Sequence, residues 1–181
     1  MIETDRLIIR PPVEDDRARF IELFTNEAFT VYSGVHDVES ANSRFDHMLH
    51  MAAVVPYAKR PVIEQSSGTI VGYTGVDVVR FDGINRLEWG WRLVTEARGQ
   101  GLATEAVSAL LAVADESDDG EMLCLINPDN QASRRVAEKV GFHWLRRLDW
   151  MDDPADPTDI LIRPIGSGGP PLRAPSSWLE S

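Results

Sequence analysis

The chain has 181 residues and a formal net charge of -11, and 43% of its residues are hydrophobic and 26% charged. This length favours one domain, and the composition is typical of soluble globular proteins and excludes fibrous and disordered classes. The acidic balance argues against nucleic acid as a partner, because phosphate binding needs a basic patch, and it suits a cationic substrate better.

No apolar run reaches the roughly 18 residues that a spanning helix needs, and the first residues lack the basic start and apolar core of a secretion signal. We therefore expect a cytoplasmic protein without a membrane partner. The single cysteine, Cys124, excludes an intrachain disulfide, and its apolar neighbours predict a buried thiol.

The first third of the chain predicts one strand and two helices. Residues 6–10 have strand character, and residues 13–26 and 40–55 have helical patterns. The second helix carries His47 and His50, three residues apart, which is a spacing that could share a metal ion. No third ligand stands at a motif spacing, so we predict no metal site.

Three strands follow at residues 61–65, 69–79 and 86–94, separated by short turn sequences that favour an antiparallel meander. Apolar residues then recur at helical spacing, namely Ala103, Ala106, Val107, Leu110, Leu111 and Ala114. Residues 122–127 read as a buried strand. A helix between Asn130 as N-cap and Gly141 just past its end completes the pattern.

The last two strands are predicted at residues 142–151 and 158–165, paired across a turn. The order indicates a mixed α/β domain around a mainly antiparallel sheet, spanning residues 1–165. Residues 166–181 are rich in Gly, Pro and Ser, so we expect them to form a mobile tail.

Small residues at Gly99, Gly101 and Ala103 stand between the third meander strand and the next helix. Free N–H groups converge at such a helix start, and glycine lets a ligand approach the backbone, which suits a pyrophosphate. A Walker-type loop is excluded because no GxxxxGK sequence is present, and a dinucleotide fingerprint fails at Thr104. A purely structural turn remains the alternative.

These residues resemble the Gcn5-related N-acetyltransferase (GNAT) family, and within it the branch of ribosomal-protein N-terminal acetyltransferases. "RGQGLA" at residues 98–103 matches the family pattern Q/R-x-x-G-x-G/A. "TDRLIIRP", "LEWGWRL" and "INPDNQASRRVAEKVGF" are similar to the opening strand, the fourth strand and the second cofactor motif. The resemblance covers about residues 4–165 and implies the GNAT fold, a mixed sheet flanked by helices.

The resemblance implies acetyl-CoA as cosubstrate, without a metal. It implies that the cofactor contacts Leu93, Val94, Arg98, Gly99, Gln100, Gly101, Leu102, Ala103, Thr104, Asn130 and Ser133. The pyrophosphate would lie on the glycine loop, and the pantetheine arm would pair with the strand at Leu93 and Val94. For Asn130, helix capping alone is the alternative.

Acetyl transfer needs a neutral amine, yet a lysine amine with a pKa of about 10.4 is mostly protonated at neutral pH, so a base is required. Strand alternation places Leu87 and Trp89 on one face and Glu88 and Gly90 on the other, which makes Glu88 our candidate base. The alternative for Glu88 is a surface ion pair with Arg92.

We also expect the Val94 N–H to stabilise the developing negative charge on the carbonyl oxygen. Many relatives carry a catalytic tyrosine four residues before the glycine of the second motif, and here that position is Ala137. Ser133 is then the remaining candidate acid.

The expected activity is acetyl transfer to a primary amine, either a protein N-terminal α-amine or a small-molecule amine. Acceptor choice should lie in residues 25–60 and 145–160. A block of aspartates, Asp149, Asp152, Asp153, Asp156 and Asp159, either attracts a cation or forms a solvated turn. A non-catalytic acyl-CoA-binding domain and a nucleotide-phosphate binder are the alternatives.

Overall fold

The computed structural model describes residues 1–32, 34–150 and 153–175. Its strands are β1 (Ile2–Glu3), β2 (Leu7–Ile9), β3 (Arg60–Glu64), β4 (Thr69–Phe81), β5 (Ile84–Leu93), β6 (Gly120–Ile126), β7 (His143–Asp149) and β8 (Pro157–Ile165). Its α-helices are α1 (Arg17–Phe24), α2 (Glu27–Thr30), α3 (Val38–Val54), α4 (Leu102–Ser117) and α5 (Gln131–Lys139). In the described ranges none of these helices has both the length and the hydropathy to cross a membrane.

The eight strands of the described chain form one sheet in the order β1-β2-β3-β4-β5-β6-β8-β7. All neighbouring strands are antiparallel except β5 and β6, which are parallel because α4 crosses over between them. The antiparallel meander β3–β5 and the β7–β8 pair are confirmed, and so is the α/β fold with a mainly antiparallel sheet.

The helices cover both faces of the sheet, as their apolar stripes require. On one face, Phe45 and Met48 of α3 pack with α1 and Tyr73 of β4. On the other face, α4 buries Val107 and Leu110 against a cluster that includes Trp89 of β5, which we call the main core. Side chains that alternate along β4 and β5 therefore face either the α1–α3 side or the α4 side.

Strands β5 and β6 pair at one position in the described chain, Glu88 with Leu123. Towards the C-terminal end of β5 this pairing stops, because the Leu125 N–H donates to the Glu88 carboxylate (3.4 Å) and not to a β5 carbonyl. A gap therefore opens between the two strands beyond Glu88. We call this gap, flanked by Trp91 and Leu93 of β5, the strand cleft.

The other end of β5 and β6 is closed by residues 170–174. The Leu172 N–H donates to the Glu121 carbonyl (3.0 Å), and the Leu172 carbonyl accepts from the Leu87 N–H (3.3 Å). Ala174, 8% exposed, lies in the main core. Our expectation of a mobile tail from residue 166 is therefore wrong for this segment, because its backbone satisfies strand groups left unpaired by the splayed sheet. Residues 176–181, also expected in the tail, lie outside the described residues.

Candidate active site

The glycine loop before α4 has the backbone that the sequence predicted. Gly99 and Gly101 have φ values of 75° and 81°, in the left-handed region that side chains other than glycine rarely adopt. A Cβ at Gly99 would meet nothing within 4 Å, and one at Gly101 would meet only the Arg6 Nη2 atom, at 3.6 Å. The glycines therefore serve the conformation and leave open space beside the loop.

The loop presents a set of unused backbone donors. Among the described residues, the N–H groups from Gly99 to Thr104 have no hydrogen-bond acceptor, and the first N–H of α4 that does is that of Glu105, bonded to the Gly101 carbonyl (3.1 Å). Because α4 starts here, its dipole adds positive potential. The free donors and the open space suit an anion such as a pyrophosphate, so the residues of the loop are compatible with the expected cofactor.

Side chains of the loop fasten it to its neighbours and do not extend into this space. The Arg98 guanidinium donates to the Leu93 carbonyl (2.9 Å) and to the Ala28 carbonyl (2.8 Å). The Gln100 amide donates to the Glu96 carbonyl (2.7 Å). Of the predicted cofactor contacts, Arg98 and Gln100 are thus suited to contribute their backbone, while their side chains hold the loop in shape.

Arg6 is a supporting residue that sequence reasoning missed. Its guanidinium donates to the Gln100 carbonyl (2.9 Å) and forms an ion pair with Glu105 (2.6 Å). Arg6 and Glu105 are far apart in sequence, so no local pattern joins them. Together they tie the N-terminal strands to the first turn of α4.

The expected role of Val94 is wrong. Its N–H donates to the Val71 carbonyl of the neighbouring strand (2.8 Å), so it is not free for an acyl oxygen or a pantetheine arm. Backbone groups of an antiparallel strand alternate in direction, so those of Leu93 and Trp91 point away from β4, into the strand cleft. We therefore assign to the Trp91 backbone the cofactor contact that we expected of Val94. Leu93 remains a predicted cofactor contact.

The second predicted motif lies at the start of α5. The Asn130 side chain accepts from the Ser133 N–H (3.0 Å), which confirms it as the N-cap. Ser133 is half-buried, and its hydroxyl has no protein partner among the described residues. Ala137, the position that carries tyrosine in many relatives, is completely buried in the main core.

Glu88 lies where the strand cleft begins, on the sheet face that α1 and α3 cover. Its side chain is half-buried, and no ion pair joins it to Arg92 in the described chain. Burial raises the pKa of Glu88 above its ordinary value, and the nearby charge of Lys59 opposes that rise only in part. The alternative of a surface ion pair with Arg92 is therefore wrong.

Gly90 keeps the space next to Glu88 open. A Cβ at Gly90 would lie 3.5 Å from the Glu88 Oε2 atom and 3.8 Å from the Lys59 Cε atom. The two charged side chains thus lie over the same glycine. A small group entering from the α1–α3 side can reach the carboxylate there.

A charged cluster adjoins Glu88. Asp77 stands directly opposite Glu88 in the β4–β5 register, and its carboxylate bonds the Lys59 ammonium (2.7 Å) and the His47 Nε2 atom (2.8 Å). We name Lys59, Asp77 and His47 the charged triad. Burial raises the pKa of Asp77, but Lys59 and His47 outweigh that effect and hold it well below its usual range. For Lys59, burial lowers the pKa, and Asp77 together with Tyr73 and Glu88 more than restores it.

Sequence reasoning missed the charged triad because Lys59 arrives from an irregular segment. Residues 57–59 cross over β4 at Gly75, where an added Cβ would collide with the Ala58 carbonyl. The Lys59 N–H donates to the Val76 carbonyl (3.2 Å) and fixes the crossing. His47, which we had considered as half of a metal pair, is committed to Asp77, while His50 is exposed.

A cavity of about 290 Å³ opens between α1, α3 and β4, next to the charged triad. Phe24, Met48 and Tyr73 form apolar walls, and Arg44 of α3 contributes a cation. We call it the acceptor cavity, because it lies on the same sheet face as Glu88. Its α3 residues and Lys59 belong to residues 25–60, the first of the two segments that we expect to set acceptor choice, while Phe24, Tyr73, Val76 and Asp77 lie outside both segments.

The predicted aspartate block does not act as a unit. Asp159 is 1% exposed and holds Arg134 and Arg147 by ion pairs of 2.9 and 2.8 Å, so it is not available to an incoming cation. Asp149 and Asp156 are exposed. Asp153 caps a turn by accepting from the Ala155 N–H (2.9 Å). Asp152 lies outside the described residues.

Comparisons with known proteins place these features in a family. A family model described as an acetyltransferase (GNAT) domain matches residues 6–143. The uncharacterized protein YkkB of Bacillus subtilis (strain 168) is 29% identical over 160 residues, covering 83% of this chain and 90% of that protein.

Solved structures share the fold. A GNAT-family acetyltransferase from Bordetella pertussis superposes with a TM-score of 0.78 and 24% identity, covering 90% of this chain and 98% of that one. A phosphinothricin acetyltransferase from Sinorhizobium meliloti, solved in complex with acetyl-CoA, gives a TM-score of 0.71 and 19% identity, with 90% of each chain covered.

Proposed function

The chain belongs to the GNAT acetyltransferase family, and on that premise we propose that it transfers the acetyl group of acetyl-CoA to a primary amine that attacks the thioester directly. Acetyl-CoA supplies the acetyl group in activated form. The protein's part is to hold the cofactor, orient the amine and remove its proton.

Cofactor binding is supported by the open glycine loop and by the strand cleft. The unused N–H groups of Gly99 to Thr104 would hold the pyrophosphate, and the Trp91 backbone and the Leu93 N–H would pair with the pantetheine arm, since the Leu93 carbonyl accepts from Arg98. Leu102 and Ala103 contribute backbone only. Asn130 would act through its cap of α5, which fixes the position of Ser133.

The observation that carries the proposal is the position of Glu88 at the point where β5 and β6 separate. Its carboxylate accepts from the Leu125 N–H at the strand cleft and lies beside the space over Gly90, and its cross-strand partner Asp77 lines the acceptor cavity. An acceptor amine is protonated at neutral pH, so a carboxylate whose pKa is raised is a more effective base than an ordinary one. We assign to Glu88 the removal of that proton, directly or through one water molecule.

Ser133 is proposed as the group that supports the departing thiolate. Its half-buried hydroxyl stands in the first turn of α5 without another partner among the described residues, and Ala137 cannot donate a proton. A Ser133→Ala variant tests this role separately from that of Glu88.

The resemblance to the ribosomal-protein branch makes a protein α-amine one candidate acceptor, and a small-molecule amine is the other. Both classes present the same primary amine to Glu88. They differ in what else the acceptor cavity must hold.

The test is a pair of measurements on the full chain. Acetyl-CoA at 100 times its Kd should add about 2.7 kcal/mol and raise the Tm by roughly 5 to 11 °C, while ATP and NAD should not. Primary amines should then accelerate thiol release from acetyl-CoA. A shift with ATP or NAD alone would indicate a nucleotide binder. Stabilisation by acetyl-CoA without release of thiol by any amine or N-terminal peptide would leave a non-catalytic acyl-CoA-binding domain.

A further inference from the structure

The acceptor cavity carries a cation that no protein anion neutralises. Arg44 lines the cavity, and among the described residues it has no hydrogen-bond or ion-pair partner. The residues three and four positions away on α3 are Ser40, Ala41, His47 and Met48, so no helical neighbour supplies a carboxylate. By contrast, Arg17 on the neighbouring helix is paired with both Glu14 and Asp46.

A second cation lies on the same side. The Arg92 guanidinium is 5.6 Å from the Phe29 ring centroid and 6.0 Å from that of Tyr73, which forms a wall of the cavity. Burial lowers the pKa of His36, and the charges of Arg44 and Arg92 lower it further. Both guanidinium groups therefore lie close to one imidazole, and the neutral form of that imidazole is favoured.

The inner end of the cavity has the opposite character. Lys59 and Asp77 neutralise each other there through their 2.7 Å contact, and Glu88 adds a carboxylate beyond them. The cavity lining thus has the Asp77 carboxylate on β4, with Glu88 opposite it in the register, and the Arg44 guanidinium on α3. In a chain with 29 acidic and 18 basic residues, an arginine in the lining, with Arg92 against one wall residue, runs against the overall charge.

We infer that the acceptor is a small amine that also carries an oxyanion, such as a carboxylate or a phosphonate, with its amine at Glu88 and its oxyanion on the Arg44 guanidinium. The inference rests on the proposed function and narrows its acceptor. A guanidinium matches the planar geometry of a carboxylate and binds it through two parallel hydrogen bonds. The volume of about 290 Å³ fits a molecule the size of an amino acid, with an aliphatic part against Phe24 and Met48.

The same arrangement disfavours a polyamine. Its distal ammonium would lie against Arg44, where like charges repel, although the net charge of the chain alone favours a cationic acceptor. The local charge matters more than the global one because solvent and salt screen charges that lie beyond about 10 Å, whereas Arg44 lines the cavity itself.

The experiment compares matched acceptors with the full chain and acetyl-CoA. Each L-amino acid of an aliphatic and methionine-like series, and each aminoalkyl phosphonate, is assayed beside its amide, ester or decarboxylated amine. We expect kcat/KM of the anionic member to exceed that of its neutral partner by about 10- to 100-fold, the size of a hydrogen-bonded charge pair. Amidation and esterification make an α-amine less basic, which favours the neutral partner, so a preference for the acid over its amide or ester cannot come from the amine. The decarboxylated amine is more basic than the acid, so that pair is compared at equal concentrations of free base.

Variants assign the preference to Arg44. Arg44→Met should abolish it by lowering kcat/KM for the anionic acceptors alone, and Arg44→Lys should keep part of it. Arg80→Met, at the far end of β4 and outside the cavity, is the matched control and should retain the preference.

The outcomes separate this inference from the function on which it rests. Turnover of neutral amines, polyamines or N-terminal peptides as good as that of the anionic acceptors, or equal losses for both classes in Arg44→Met, would overturn the inference and leave the acetyltransferase intact. Absence of turnover with every amine, in a protein that acetyl-CoA stabilises, would overturn both.

Discussion

Asp77 and Glu88 are cross-strand partners on β4 and β5, and their carboxylates share one face of the sheet. Two carboxylates at such a position repel each other, and here Lys59 bonds Asp77 at 2.7 Å and leaves Glu88 without an ion-pair partner in the described chain. The charge of Lys59 lowers the pKa of Glu88, and that of Asp77 raises it. Asp77 thus offsets the effect of Lys59, the larger of the two cationic influences that lower the pKa of Glu88.

The first prediction concerns the pH dependence of kcat/KM in an Asp77→Asn variant. Glu88 must be ionised to accept a proton, so activity falls at pH values below its pKa. Removing Asp77 leaves the Lys59 charge unopposed, which lowers that pKa and should move the acidic limb of the profile to lower pH. The acceptor's own ionisation is the same in both proteins, so the difference between profiles reports the enzyme.

A Lys59→Met variant should shift the profile in the opposite direction. Without the cation, Asp77 and burial both raise the pKa of Glu88, and the acidic limb should move to higher pH. The facing groups His47 and Arg92 remain in both variants, as does the Leu125 N–H. pH profiles that move in the same direction in the two variants, or activity lost without a shift of the profile, would contradict this electrostatic role. Melting curves of both variants show whether activity is lost through unfolding.

Replacement of Glu88 by Gln tests the base directly. The amide keeps the size of the side chain and can still accept from the Leu125 N–H, but it cannot take a proton. We expect kcat/KM to fall by about 100-fold or more, with the Kd of acetyl-CoA unchanged. The deficit should narrow as the pH approaches the pKa of the acceptor amine. Glu64→Gln, in the remote β3–β4 hairpin, serves as the control, and an unaltered rate in Glu88→Gln would remove this residue from the mechanism.

Gly101→Ala tests the glycine loop. The φ value of 81° at the N-cap of α4 costs a non-glycine residue about 1 to 2 kcal/mol, so the loop should shift and misalign its free N–H groups. Gly68→Ala, at φ 66° in the β3–β4 turn, imposes a similar strain far from the site. Calorimetry should show both variants destabilised but weaker acetyl-CoA binding for Gly101→Ala alone. Equal affinities would mean that the loop does not hold the cofactor.

Features with a short-range cause were predictable from the sequence, while those with a long-range cause were not. The left-handed glycines, the cap at Asn130 and the alternation around Glu88 depend on residues within a few positions of each other. The error at Val94 arose because its side of the strand is set by the β4–β5 register, which the chain pattern alone leaves undetermined by one residue. Lys59 reaches Asp77 only because the chain crosses β4 at Gly75.

The composition of the C-terminal segment was misleading for a similar reason. Gly, Pro and Ser are common in mobile tails, but they also suit a chain that must fit closely between two strands. A Cβ at Gly120 would lie 2.6 Å from the Leu172 side chain, which shows how close that fit is. The demand for a partner at this place comes from the separation of β5 and β6, a property of the whole sheet.

The last prediction follows from that packing and compares a chain that ends at residue 175 with one that ends at residue 169. The shorter chain loses the hydrogen bonds of Leu172 to Glu121 and Leu87, that of the Glu121 N–H to the Pro170 carbonyl (3.1 Å) and that of Ala174 to the Asn85 carbonyl (3.0 Å), and it uncovers part of the main core. At about 1 kcal/mol for each bond, the free energy of unfolding should fall by about 4 kcal/mol and the Tm by roughly 8 to 16 °C. Because the segment closes the end of β5 and β6 opposite the strand cleft, the Kd of acetyl-CoA well below the Tm should be nearly unchanged. Equal Tm values for the two chains would show that residues 170–174 do not stabilise the sheet, and a large loss of affinity would show that they set the width of the cleft.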